Sequence, residues 1–562
     1  MIDQYSPLDD RWFYALVFAG VFLNATGLFP PILEPDGALY ACIAKTMAQT
    51  GDFVNLYAVG RDWLDKPHFP FWVSAGSYLL FGINTFAYKF PALLFFLGSV
   101  IYTYRFARLT YSKLTAQVAA LVLLTAFHGV LSNSDVRAEP YLIMLIIGPV
   151  YHFYHVFRGG KFYHLVLGAL LTGCALMTKG LFVIVPIGAG LGLHWLLTGN
   201  WKELLKFRWY FAVILSFAFT LPEIYCLYEQ FDLHPEKVIF DNTGVSGIRF
   251  FFWDSQFGRF FNTGPIKGAG DKFFFVHTLL WAFLPWSLPL YVSVGKALVA
   301  IVKRNHFLPE YISLGSGLAT FVLFSLSGFQ LPHYMNIVFP FFAVLTAHYL
   351  VTISEKSLRQ WTIAQSVIGG LLVVLIVAVL VIVQPVHLGM AVSWVMLIVF
   401  ATISLFRQNT LLSLMGRMVG AMLLLAGVLN LFLYPTFMNY EAGLAAARFV
   451  NEQPQRVNRP TALYGSTTFG ESSWSYEFYV KGPTQYIRSD SVLRQLSSQR
   501  PIQIFTTTVY ADSLVNRGFA VRSLAAFPYF HISQLTYDFL NYNTRSKTLK
   551  PYVLLELDGK IK

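Results

Sequence analysis

The hydrophobic pattern along the chain is a series of long apolar runs. A helix that crosses a hydrocarbon core needs roughly 20 apolar residues. Runs of that kind lie near 12–30, 86–107, 115–133, 139–157, 163–178, 181–198, 209–228, 274–295, 308–328, 336–353, 362–383, 389–406 and 415–435. They predict about thirteen membrane-spanning helices. Two long stretches, 31–85 and 229–273, interrupt the series. Loops of that length are uncommon without a function. In the first, Ala38 to Met47 is amphipathic and predicts a short helix lying at the interface. Pro67 to Phe81 is apolar but too short to span. After Tyr434-Pro435 the pattern turns polar, with β-rich runs at Thr461–Tyr464, Ile502–Thr507 and Tyr552–Leu555. Helical patterns near Ala442–Asn451 and Ser489–Ser498 lie between them. The expected fold class is an all-α polytopic membrane domain over 1–435, followed by a soluble α/β domain over 436–562.

Composition agrees with this pattern. Of 562 residues, 56% are hydrophobic and 12% charged, against about 25% charged in a soluble domain. Aromatics reach 17%, and many sit near segment ends, as interfacial belts require. A formal charge of +12 would suggest nucleic acid for a soluble protein. Here the basic residues orient membrane segments and meet anionic headgroups, so no nucleic-acid partner is expected. Arg105, Arg108, Lys113, Arg158, Lys161, Lys202, Lys206, Arg208, Lys303, Arg304, Lys356, Arg359 and Arg407 fall in one alternate set of loops. That bias places the set in the cytoplasm, and both long loops and the C-terminal domain outside. Met1 to Arg11 lacks a basic n-region, so the first apolar run reads as a retained helix. Cys42, Cys174 and Cys226 imply no disulfide framework.

The outer side gathers the candidate chemistry. Glu34-Pro35-Asp36 puts two carboxylates where a helix leaves the membrane, a costly placement that marks a site. Asp36 can cap the next helix, or act as a base or hold a cation. Asp65-Lys66-Pro67 can be a surface ion pair of little energetic value, or Lys66 can hold a lipid phosphate. Arg259 is a second phosphate ligand on the same reasoning. Glu139 begins the fourth run beside Pro140, either as a favourable helix start or as a second functional carboxylate. Lys179 marks a tight turn or snorkels to phosphates. His68 and His333 lie on the same side. With Glu34 or Asp36, His333 makes a weak metal candidate, since no ligand spacing is recognisable. No cofactor is required.

Several motifs resemble a known family. They are Glu34-Pro35-Asp36-Gly37-Ala38-Leu39-Tyr40, Asp65-Lys66-Pro67-His68-Phe69-Pro70-Phe71-Trp72, the segment Gly173 to Gly180 ending Thr178-Lys179-Gly180, Leu284-Pro285-Trp286, and Phe324 to Tyr334 containing Gln330-Leu331-Pro332-His333-Tyr334. Together they resemble the protein O-mannosyltransferases and bacterial lipid A aminoarabinose transferases. Gly37, Leu39, Glu139 and Gln330 depart from that pattern. The resemblance implies a GT-C-type integral-membrane glycosyltransferase in a bacterial inner membrane, with its site facing the periplasm. The implied donor is an undecaprenyl-phosphate-linked sugar, the acceptor lipid A, and the consequence resistance to polymyxin and other cationic peptides. It also implies catalytic roles for Asp36, Glu139 and Lys66, donor-phosphate binding by Lys66, Arg259 and Tyr334, and substrate contacts at Glu34, Tyr40, Asp65, His68 and Lys179.

Two other readings compete. One is transfer of another sugar, such as mannose, to protein or lipid. The other is a lipid transporter or flippase, which would carry ionisable residues near the midplane of repeated halves. The run centres here are nearly free of charge.

Overall fold

The computed structural model describes residues 4–264, 266–303, 308–464, 473–487 and 489–557. Arg304, used above for orientation, lies outside them. Among the described residues, eight helices are long and apolar enough to cross a membrane, or ten when each of two bent pairs counts as one span. The bends fall between Leu124 and Phe127 and between Phe219 and Leu221. Three of the runs read as spans fall short. They form the helices Leu181–Leu197, Ser287–Val302 and Ile312–Ser325. The run at 274–295 breaks because Pro285 sits in the turn Phe283–Trp286 and cannot continue a helix.

Burial orders the bundle. The spans Glu139–Phe157 and Pro332–Thr352 are 78% and 94% buried, whereas Glu355–Val383 and Leu388–Leu405 are 17% and 11% buried. The first pair forms the centre and carries Glu139 and His333 at its ends. The second pair presents apolar surface outward, where lipid can solvate it.

The first long loop is mostly helical. Helices Asp36–Thr50 and Phe69–Phe81 flank a hairpin of β1 (Tyr57–Ala58) and β2 (Arg61–Asp62). Ala38 to Met47 was expected to lie at the interface. Instead Gly37 to Lys45 and Met47 are buried, because the C-terminal part packs on top of them. The two long loops are tied together. Gln230 Oε1 accepts from Leu56 N at 2.9 Å, its Nε2 donates to Asp62 Oδ1 at 2.9 Å, and Lys237 reaches the same carboxylate at 3.0 Å.

The last span-length run extends to Tyr440, and the C-terminal part follows it. Its sheet has strands β3 (Thr461–Tyr464), β4 (Thr484–Ile487), β5 (Ile502–Thr507), β6 (Val521–Tyr529) and β7 (Lys550–Leu557), in the order β4-β3-β5-β7-β6. Strands β4, β3 and β5 are parallel, while β7 runs antiparallel to both neighbours. Ile504 of β5 packs with Leu493 and Leu514 on one face. Phe505 packs with Tyr476 and Leu463 on the other. A strand buried on both faces reads as a continuous apolar run, as Ile502–Thr507 does.

Polar bonds rivet this domain to the first loop. Lys45 Nζ donates to the carbonyls of Glu477, Phe478 and Val480 at 2.6, 3.0 and 3.1 Å. It thereby caps the helix Trp474–Tyr479 at the end where the dipole favours a cation. Glu34 Oε1 accepts from Ser475 N at 2.6 Å, and Ser533 Oγ donates to the Glu34 carbonyl.

Burial raises the Glu34 carboxyl to about 7, with Ser475 and Trp474 opposing, and burial also raises neighbouring Glu441. A carboxyl whose folded pKa exceeds the unfolded value stabilises most below the unfolded pKa and loses that contribution as pH rises through the folded one. The wild-type melting temperature is therefore expected to fall as pH rises from about 5 to 8. In Glu34→Gln that fall should be shallower. An identical fall in both proteins, measured in detergent, would remove Glu34 from the seam's pH response.

Candidate active site

The site forms where the ends of the central spans meet both long loops. The Asp36 helix begins without a side-chain cap at Pro35. Asp36 instead pairs with Arg137 Nη1 at 2.7 Å, and Arg137 also holds Asp135 at 3.0 Å. Gly37 permits this approach, since a Cβ there would lie 3.2 Å from Asp135 Oδ1 and 3.3 Å from Ile32. The departure at Gly37 thus has a local reason: a larger side chain would press on Asp135.

A polar network below fixes the Asp135–Glu139 turn. Asn133 Nδ2 donates to Asn24 Oδ1 at 2.7 Å, Ser134 Oγ to Asn430 Oδ1 at 2.9 Å, and Asn430 Nδ2 to Thr26 Oγ1 at 2.9 Å. Lys89 Nζ donates to the carbonyls of Gly27 and Pro30 at 3.1 and 2.7 Å. These bonds tie the first span to the turn, with Glu34 and Asp36 just beyond.

Asp65 receives both Lys66 and Arg259. Burial pushes its carboxyl up, but the two cations outweigh that and hold it below the usual range. Burial also lowers the Lys66 ammonium, with Asp65 opposing. Lys179 pairs with Glu139 and sits 4.1 Å over the Tyr334 ring. His333 Nε2 lies 3.8 Å from Glu139 Oε1.

These pairs divide the site electrostatically. Two cations face one carboxylate at Asp65, two carboxylates face one cation at Arg137, and Glu139–Lys179 balances between them. One end carries a spare positive charge and the other a spare negative charge. A cavity of about 60 Å³ opens at the positive end, lined by Asp65, Lys66, Lys179, Gln256, Arg259 and Tyr334. Such a place suits an oxyanion, because Lys66 and Arg259 can turn from Asp65 to the newcomer without losing a partner.

Other expected site residues are placed differently. His68 is fully buried. Its Nδ1 meets Glu223 Oε1 at 3.0 Å and its Nε2 meets the Val54 carbonyl at 2.9 Å. Both ring nitrogens are engaged in bracing the loop. Tyr40 is buried edge-on between Trp63 and Phe71. Glu34 faces the C-terminal domain. The trio Glu34, Asp36 and His333 has three different partners, and among the described residues no three His, Cys, Asp or Glu side chains gather as metal ligands. Gln330 ties Asp271 N to the Phe324 and Ser325 carbonyls at 2.8, 3.0 and 3.2 Å. Sequence reasoning grouped Arg137 with the outer-facing polar residues but gave it no role, and it left Gln256 out of the site. The alternation Asp135-Val136-Arg137-Ala138-Glu139 signals the first; Gln256 has no comparable signal.

Similarity to known proteins follows the same lines. The family described as dolichyl-phosphate-mannose-protein mannosyltransferase matches residues 65–225. The undecaprenyl phosphate-alpha-4-amino-4-deoxy-L-arabinose arabinosyl transferase of Edwardsiella ictaluri is 26% identical over 58% of this chain and 56% of its own length. That of Pseudomonas aeruginosa (strain UCBPP-PA14) is 25% identical over 60% of this chain and 59% of its own. The chain thus spans less than two thirds of these curated relatives. The crystal structure of ArnT from Cupriavidus metallidurans bound to undecaprenyl phosphate superposes with a TM-score of 0.73 at 19% identity, covering 97% of both chains. The fold is ArnT-like. The apo ArnT structure agrees, with a TM-score of 0.73 at 18% identity over 97% of this chain and 98% of that one.

Proposed function

We propose that this protein is an integral-membrane glycosyltransferase that moves 4-amino-4-deoxy-L-arabinose from undecaprenyl phosphate to a phosphate of lipid A. It would act at the periplasmic face of a bacterial inner membrane. The carrying observation is Asp65 clasped by Lys66 and Arg259 at the wall of a cavity. As the glycosidic C–O bond breaks, the departing lipid phosphate gains negative charge, and these cations stabilise it where it develops. The acceptor phosphate oxygen forms the new bond and sheds any proton it carries.

Asp36 and its Arg137–Asp135 partners supply the negative end. That end suits either the acceptor's proton or the ammonium of the aminosugar. Glu139, through Lys179, spaces the two ends. On this reading the chemistry asks for positioning and electrostatics and needs no cofactor.

The names of the arabinosyl transferase relatives support this donor and sugar. The mannosyltransferase family match over 65–225 favours a second reading, transfer of mannose from a polyprenyl phosphate. Expression in a bacterium lacking its own lipid A aminoarabinose transferase separates the two. Aminoarabinose on lipid A by mass spectrometry, with restored polymyxin resistance, is the expected result. Unmodified lipid A with mannosylated products would favour the second reading.

A further inference from the structure

Beside the phosphate-binding cations lies an acceptor atom that a phosphate cannot use. Gln256 is 5% exposed and lines the same cavity as Lys66 and Arg259. Its Nε2 donates to the Lys179 carbonyl at 3.2 Å and to Ser255 Oγ at 2.9 Å. Its Oε1 is buried and has no hydrogen-bond partner among the described residues. Turning the amide over would set that oxygen against the Lys179 carbonyl, acceptor against acceptor, so the bonds fix which atom is left over.

The chain is shaped to hold the amide there. Gly180 has φ of +87°, and a Cβ on it would lie 2.4 Å from Gln256 Nε2 and 2.9 Å from Oε1. A side chain at 180 is excluded twice, by backbone conformation and by the amide lying over it. This gives Thr178-Lys179-Gly180 a purpose beyond a turn: Lys179 supplies the carbonyl and Gly180 the space. Gln256 also sits in a π-helical segment, Phe250–Gly258, three residues before Arg259. Such segments are rare and favour functional sites. A buried acceptor with no partner is an unusual thing to keep in a folded protein, and beside a binding cavity the missing donor belongs to the ligand.

We propose that Gln256, seated on Gly180, forms a sugar subsite beside the phosphate site and that its Oε1 accepts a hydrogen bond from an O–H or N–H of the donor's sugar. This rests on the lipid-phosphate sugar donor proposed above. Lys66, Arg259 and Gln256 line one cavity, so a phosphate held by the two cations would lie beside Gln256. The sugar attached to that phosphate is then the nearest source of a donor. A repelled phosphate on one side and a satisfied sugar donor on the other would fix the register of the bound lipid.

The test compares wild type with Gln256→Leu, using purified full-length protein in nanodiscs. KM and kcat are measured for the polyprenyl-phosphate-linked sugar, and the inhibition constant for sugar-free polyprenyl phosphate is measured alongside. Gln256→Leu is expected to lower kcat/KM about tenfold, one good hydrogen bond's worth. The inhibition constant of the sugar-free lipid should stay within about twofold. Gln256→Glu keeps an acceptor at the Oε1 position but sets its other oxygen against the Lys179 carbonyl, so it should recover only a small part of the loss. Its recovery should be greater with an amino-sugar donor than with a hydroxy-sugar donor if the bonded group is an ammonium, and equal if it is a hydroxyl. Unchanged kcat/KM in Gln256→Leu, or an equal loss for sugar-free lipid, would overturn the subsite. If wild type neither consumed the donor nor bound polyprenyl phosphate, the functional reading would fall along with it.

Discussion

Asp36→Asn is expected to lower turnover by about 10²-fold to 10⁴-fold, the range for removing a group that acts on a proton or a charge in the transition state. The fold should survive the change. Asp36 is the first residue of its helix and makes no cap bond, so the helix forfeits only a dipole contribution of about 0.3–1 kcal/mol. Arg137 keeps Asp135 at 3.0 Å and is not left as an unpaired buried cation. A melting temperature within a few degrees of wild type, with turnover nearly gone, is the expected pair of results. Wild-type turnover would remove Asp36 from the chemistry and leave it a surface partner of Arg137.

Lys66→Met should be comparably severe by another route. Methionine keeps the apolar stem and removes the charge, so packing changes little while the positive end loses one of its two cations. Arg259 stays on Asp65, and that end becomes neutral. Transfer is expected to drop about 10²-fold to 10³-fold, with KM for the lipid-linked donor rising as well, because the lost charge serves bound phosphate and leaving phosphate alike. Lys66→Arg should recover part of the loss. A variant with normal KM and depressed kcat would instead place Lys66 away from the phosphate in the ground state.

The sequence disclosed the candidates through their cost. Carboxylates at Glu34, Asp36 and Glu139 and cations at Lys66, Lys179 and Arg259 are conspicuous in a chain with few charges, and loop composition sets the expectation that they share one side of a membrane. Their partners did not follow. Asp65 meets Arg259 across 194 residues, Glu34 meets Ser475 across 441, and Glu139 meets Lys179 across 40. Nothing local specifies such pairings. His68 stood out as a polar residue in an aromatic loop, and its contact with Glu223, itself hidden in a hydrophobic run, was not visible from the sequence. Gln256 was silent for the opposite reason, since an amide among aromatics carries no charge to flag it. Most spans were legible by length, but the runs at 181–198, 274–295 and 308–328 form helices too short to cross, and at Pro285 the apolar run continues through a turn that hydropathy does not register.

The most direct measurement of the central claim is single-turnover transfer by the purified chain in nanodiscs. The substrates are undecaprenyl-phosphate-linked aminoarabinose and lipid A, with the products resolved by mass spectrometry. The account predicts one aminoarabinose added to a lipid A phosphate for each undecaprenyl phosphate released, and neither product formed by Lys66→Met on the same timescale. Equal product from wild type and Lys66→Met, or released lipid phosphate without modified lipid A, would contradict it.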